Sequence, residues 1–255
     1  MSNSPEFPQS NYHEATLTAG QAREINENFN IVVVGGWHCR AKSESDVVPS
    51  DINYDATNLL TSALDPAKGD TLFIEGIGYR GVPDGQLVLA MDPEWVKAKV
   101  GMLRDTQEID SFNYAAIMAG LRGVRVEYAD VHHDVYKDFL AKEDIAEDAN
   151  LTPAQGKARN QLRNRQAVYT VKDDMLAHLE AVKASGVKAT YMHLMGDAHV
   201  SLDLDGVQML PEIYENLGLK IDVAHVMQAV AVLKIIEATG VLTGKIVDAN
   251  FGSAA

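Results

Sequence analysis

The sequence predicts an α/β domain with a largely parallel central sheet flanked by helices. Three observations carry that expectation. Short β-branched runs without polar alternation recur along the chain, the form taken by strands buried on both faces. Stretches long enough for helices separate them. His or carboxylate residues follow every one of the four strand candidates, and open α/β sheets bind ligands beyond the carboxyl ends of their strands.

Taken in order, a helix is expected over residues 16–28. It precedes Asn30-Ile31-Val32-Val33-Val34, a run stopped by Gly35 and Gly36. A helical stretch over 51–64 leads to the strand Thr71-Leu72-Phe73-Ile74-Glu75 and a glycine-rich loop over 76–85. A long helical region over 92–120 precedes the third strand, Val124-Arg125-Val126-Glu127-Tyr128. After a polar stretch comes the clearest helix start in the chain, with Thr152 as N-cap and Pro153 in the first turn. That helix should close at Ser185-Gly186, with glycine just past the end. The fourth strand follows over 188–195, and the amphipathic segments after Asp205 and after Asp222 read as helices. No linker or compositional break appears. The expected organisation is a frayed arm over 1–14, one domain over 15–250 and a loose tail over 251–255.

Composition narrows the function. The chain has 255 residues, 22 Lys plus Arg against 36 Asp plus Glu, and a net charge of −14. That balance argues against a general nucleic-acid binder, which needs a positive surface to displace counterions. Arg159, Arg163 and Arg165 are a local basic exception. No apolar run is long enough for a membrane span and the amino-terminal stretch has no apolar signal core, so a cytoplasmic protein is expected. The single Cys39 forms no internal disulfide, which suits a reducing compartment. The segment 223–236 is apolar nearly all round. It is buried either within the domain or against a second copy, which leaves a homo-oligomer open.

The residues past the strands carry the chemistry. Gly35-Gly36-Trp37-His38 follows the first strand, Glu75 ends the second, Asp130, His132 and His133 follow the third, and Gly196-Asp197-Ala198-His199 follows the fourth. Two of these share the spacing Gly-x-x-His, in which the glycine allows a sharp turn and the His projects back over the sheet edge. The long helix contributes from its side. Its apolar stripe Val168, Val171, Met175, Leu179, Val182 extends backward onto Asn164 and Asn160. At ~1.5 Å per helical residue and ~3.3 Å per strand residue, Arg163 and Asn164 should stand near the height of His199. His132 and His133 read as surface residues, with one available as a further metal ligand. His13, His178, His193 and His225 read as structural or solvated.

Gly76-Ile77-Gly78-Tyr79-Arg80-Gly81 fits a dinucleotide fingerprint, but Pro83 and Gly85 continue the loop where a helix should open. Cys39 reads as a small buried thiol rather than a nucleophile.

The paired Gly-x-x-His motifs, the acidic end of Phe73-Ile74-Glu75, the approach to Asp130 and Arg163-Asn164 ahead of Gly196-Asp197-Ala198-His199-Val200 resemble one superfamily. It is the TraB/Tiki group, related to erythromycin-esterase-like and ChaN-like haem-binding proteins, and the resemblance spans about residues 30–205. A Met that often follows the Arg-Asn pair is missing, which leaves Arg163 and Arg165 both open as the equivalent arginine. The resemblance implies metal-dependent hydrolysis of peptide bonds or metal-free hydrolysis of esters, acting on a peptide or small molecule. In the metal version, taken as the first expectation, His38, His199 and Asp130 hold Mn²⁺, Co²⁺ or Zn²⁺, and the ion supplies hydroxide near neutral pH. Gly35 and Gly196 open the turns that line the bound group. Glu75 is the general base, Arg163 with Asn164 beside it stabilises the oxyanion, and in the metal-free version a His paired with Glu75 deprotonates water directly. The non-enzymatic alternative is a haem or peptide held over the same edge, with Tyr79, His132 or His133 available to haem iron.

Overall fold

A computed structural model describes residues 16–36, 50–75, 93–105, 109–131, 133–142, 145, 151–201, 206–226 and 228–229. Its centre is a five-stranded parallel sheet in the order β3-β2-β4-β1-β5. The strands are β1 (Phe29–Gly36), β2 (Thr71–Ile74), β3 (Arg125–Tyr128), β4 (Ala189–Gly196) and β5 (Ile221–His225). β1 and β4 are central and buried along almost their whole length, as their unalternating apolar sequences require.

The helices are α1 (Ala19–Asn28), α2 (Ser50–Thr61), α3 (Pro93–Asp105), α4 (Ser111–Leu121), α5 (His133–Lys142), α6 (Pro153–Ser185), α7 (Asp197–Val200) and α8 (Leu210–Asn216). Their ends have local causes. Thr18 and Gln21 form a reciprocal capping box on α1, and Thr152 and Gln155 form another on α6. Gly186 ends α6 at φ 68°, a conformation that costs other residues their Cβ clearance.

Three expectations are corrected. The single helical region over 92–120 is two helices, because the Asp110 carboxylate accepts the Phe112 and Asn113 N–H groups and starts α4 afresh. Residues of the polar stretch after β3 form α5. The segment after Asp222 begins not as a helix but as β5, whose residues 221–225 pair with residues 31–35 of β1. Ile221 and Val223 are β-branched, and the open edge of β1 supplied a partner that local pattern could not reveal.

The sheet has two covered faces. Helices α1, α6 and α8 pack with Ile31, Val33, Phe73, Tyr191 and Met195 on one face. Helices α2 and α4 pack with Val32, Val34, Leu72, Met192 and Leu194 on the other. The helices that follow β1 and β2 therefore lie opposite those that follow β3 and β4. Such a split opens the sheet edge between neighbouring strands and makes it the expected ligand position. Among the described residues, no helix is long and apolar enough to cross a membrane.

Candidate functional site

Register brings Glu75, Met195, Gly35 and His225 into one row across the carboxyl edge, all on the α6 face. Gly35 pairs with Met195 on one side and His225 on the other, and Glu75 continues β2 by donating its N–H to the Leu194 carbonyl at 3.0 Å. Above this row stands the first turn of the buried stripe of α6, where Arg163 and Asn164 are both buried.

Arg163 is clamped. Its Nη2 lies 2.5 Å from Glu75 Oε1 and 2.5 Å from Asp130 Oδ2, and its Nε donates to Asp130 Oδ1 at 3.1 Å. All three side chains are about nine-tenths buried or more. Burial opposes the guanidinium charge, but the hydrogen bonds and proximity of Asp130, then Glu75, outweigh it and move the pKa up. The second oxygen of Glu75 accepts the Gly196 N–H at 2.6 Å, so the carboxylate is fixed from two sides.

His199 faces that carboxylate. Its Nε2 lies 3.6 Å from Glu75 Oε1, and its Nδ1 lies 2.5 Å from Asn164 Oδ1. The Asn164 amide nitrogen donates to the Gln208 carbonyl at 2.7 Å, which orients the amide and makes its oxygen the group presented to His199. Nδ1 therefore carries the proton, and Nε2 carries a lone pair toward Glu75. Burial pushes the His199 pKa down to about 4, with Glu75 opposing, so the ring is neutral at pH 7.

Four of the expected site residues, Glu75, Asp130, Arg163 and Asn164, thus meet His199. Their contacts are as follows. Asp130 has both oxygens on Arg163, and its Oδ1 also accepts the Val131 N–H. Arg163 lies between two carboxylates that take its Nε and Nη2 groups. Arg165 is exposed, 3.4 Å from Gln208; the arginine inside the cluster is Arg163. Gly35 and Gly196 serve the protein itself. A Cβ on Gly35 would fall 2.6 Å from Asp197 Oδ1 and 2.8 Å from His225 Nδ1, and Gly196 spends its N–H on Glu75. His38, Cys39, Tyr79, His132 and the loop 76–85 lie outside the described residues, and His133 opens α5.

For a divalent ion, the described cluster offers His199 Nε2 and Glu75 Oε1, the latter already facing a guanidinium. Among the described residues, no three His, Cys, Asp or Glu side chains are grouped to hold a cation. Catalytic ions take about three protein donors, and the described set falls short of that.

Two histidines read from the sequence as structural or solvated have defined partners. His225 Nδ1 bonds Asp197 Oδ1 at 2.9 Å, an acid–His pair at the end of the unrecognised fifth strand. His193 is fully buried one step below Glu75 on the same face, with Nδ1 2.9 Å from the Tyr214 hydroxyl. Burial pushes its pKa down to about 3. Reading Ile221-Asp222-Val223-Ala224-His225 as a strand would have put His225 at the edge by the same rule that selected His199.

No family model, curated protein or solved structure matches the chain. The class is therefore defined by architecture and site alone: an α/β protein with a parallel sheet and a buried Arg–carboxylate–His cluster at its carboxyl edge.

Proposed function

We propose that the chain is a hydrolase of ester or amide bonds, in which His199 and Glu75 activate water without a resident metal. One observation carries the reading: the lone pair of His199 Nε2 is held 3.6 Å from Glu75 Oε1. A water between them would donate one hydrogen to His199 Nε2 and the other to Glu75 Oε1, beside the Arg163 bond that Oε1 already accepts. Asn164 fixes the ring tautomer, and Arg163 with the Gly196 N–H fixes the carboxylate. Water attacks the substrate carbonyl carbon, and its proton passes to His199 Nε2, with Glu75 sharing the charge that forms on the imidazolium. The carbon–oxygen or carbon–nitrogen bond then breaks, and the leaving group takes the proton. The motif resemblance to the erythromycin-esterase-like branch of the TraB/Tiki group points to the same chemistry.

The test is hydrolysis of a panel of ester and amide substrates by the wild type, Glu75→Gln and His199→Ala. Each is run after chelation and again with added Mn²⁺, Co²⁺ or Zn²⁺. Each substitution should lower kcat by about 10²–10⁴-fold, the usual share of a general base, and chelation should leave the wild type active. Variants as active as the wild type would refute the role of the pair. Activity that appears only with added ion would return the site to the metal version, with His38 as the missing donor.

A further inference from the structure

Arg163 is committed to its two carboxylates, whereas the arginine before it is not. Arg159 lies one turn earlier on α6 and on the same helix face. Helix α6 runs down from the carboxyl edge, so that turn carries Arg159 about 6 Å further along the helix axis than Arg163, beyond the edge of the sheet. Its side chain is part-buried, and its Nε is shut off from solvent with no acceptor. Among the described residues, no hydrogen bond or ion pair engages Arg159. Its charge reaches His199, where it helps to keep the imidazole neutral.

A guanidinium in this state is short of an anion. Its Nε–H has lost its water without gaining a partner, which is the costly half of hydrogen-bond exchange. Arg163 differs in both respects, since its Nε and Nη2 donate to carboxylates and two carboxylates flank its charge. Among the described residues, the exposed Arg165 meets the Gln208 amide, at 3.4 Å.

We infer that Arg159 is the anion-binding residue of this site, and that the ligand carries a carboxylate or phosphate group about one helical turn from the carbonyl that His199 and Glu75 address. The Nε–H and Nη–H edge of a guanidinium matches two oxygens of such a group and would give the buried Nε–H its acceptor. The position of the carbonyl rests on the hydrolase reading, while anion binding requires no turnover.

The experiment is isothermal titration calorimetry of the full chain at low salt, with inorganic phosphate and with succinate as probes. The proteins are the wild type, Arg159→Gln, Arg159→Lys and Arg165→Gln, each checked for its fold by circular dichroism. The wild type should bind one probe or both, and the pattern distinguishes a phosphate from a carboxylate ligand. Arg159→Gln should weaken binding about tenfold or more. Arg159→Lys should fall between, because a point charge keeps the attraction but loses the fork. Arg165→Gln should stay within about twofold of the wild type, as an exposed charge does. A wild type that binds neither probe, an Arg159→Gln protein that binds as well as the wild type, or an equal loss in Arg165→Gln would overturn the assignment. Anion binding without hydrolysis would sink the hydrolase reading alone. Hydrolysis of neutral esters without anion binding would sink only the role of Arg159.

Discussion

Replacing Arg163 with methionine removes one charge from a cluster of three that water barely reaches. The side chains of Arg163 and Glu75 are each 10% exposed, and that of Asp130 is 1% exposed. Methionine keeps much of the stem volume, so the dominant loss is electrostatic: two carboxylates remain buried, facing each other, without the cation between them. Removing one member of a buried ion pair costs about 3–5 kcal/mol, whereas breaking an exposed pair costs about 0–1 kcal/mol. The measurement is urea unfolding followed by fluorescence and circular dichroism at pH 7, wild type against Arg163→Met. A companion variant carrying Arg163→Met, Glu75→Gln and Asp130→Asn should recover much of the loss, because no unpaired charge then remains buried. A single-variant cost below about 1 kcal/mol, comparable to that of a surface pair, would refute the buried clamp. So would a triple variant no more stable than the single one.

Other predictions follow from the same geometry. His193 has an ordinary pKa of 6.5 when unfolded and about 3 when folded. Its contribution to stability is therefore complete above pH 6.5 and is lost as pH falls toward 3, at up to about 1.4 kcal/mol per pH unit. Urea unfolding at several pH values should show that slope, and His193→Gln should flatten it; an unchanged slope would contradict the burial of a neutral ring. Asn164→Ala strands both His199 Nδ1 and the Gln208 carbonyl and should cost about 1–3 kcal/mol in the same unfolding assay. Gly36→Ala should lower Tm more than Gly35→Ala. The added methyl on Gly36 meets the packed Phe112 and Val226 side chains at 2.8 and 2.9 Å, an overpacking worth about 1–3 kcal/mol. On Gly35 it meets the tips of Asp197 and His225, which are 29% and 28% exposed and free to swing away.

Much of this architecture was legible because both signals were local. The β-branched runs around Val33 and Leu72 could bury both faces only in a helix-covered parallel sheet. Thr152-Pro153 and Gly186 set the ends of α6 through local capping and backbone geometry. The stripe of α6 turned polar at Asn164, and with helix rise and strand rise known, that was enough to bring Arg163 and Asn164 level with His199. Strand β5 was not legible in the same way. Ile221-Asp222-Val223-Ala224-His225 is short and runs into an apolar stretch, and only the open edge of β1 makes it a strand. Missing it also hid the Asp197–His225 pair.

The sequence by itself determined the fold class, the edge of the sheet where polar residues gather, and the identity of most of the residues gathered there, since periodicity, caps and chain length fix which residues can reach one height. Only the tertiary structure set their side chains against one another. That Arg163 lies between Glu75 and Asp130, that both Asp130 oxygens meet its guanidinium, and that Asn164 faces His199 Nδ1 all depend on distances of a few ångströms between side chains remote in sequence. Coulombic and hydrogen-bond energies change steeply over those distances once water is excluded, and residue order along the chain does not encode them.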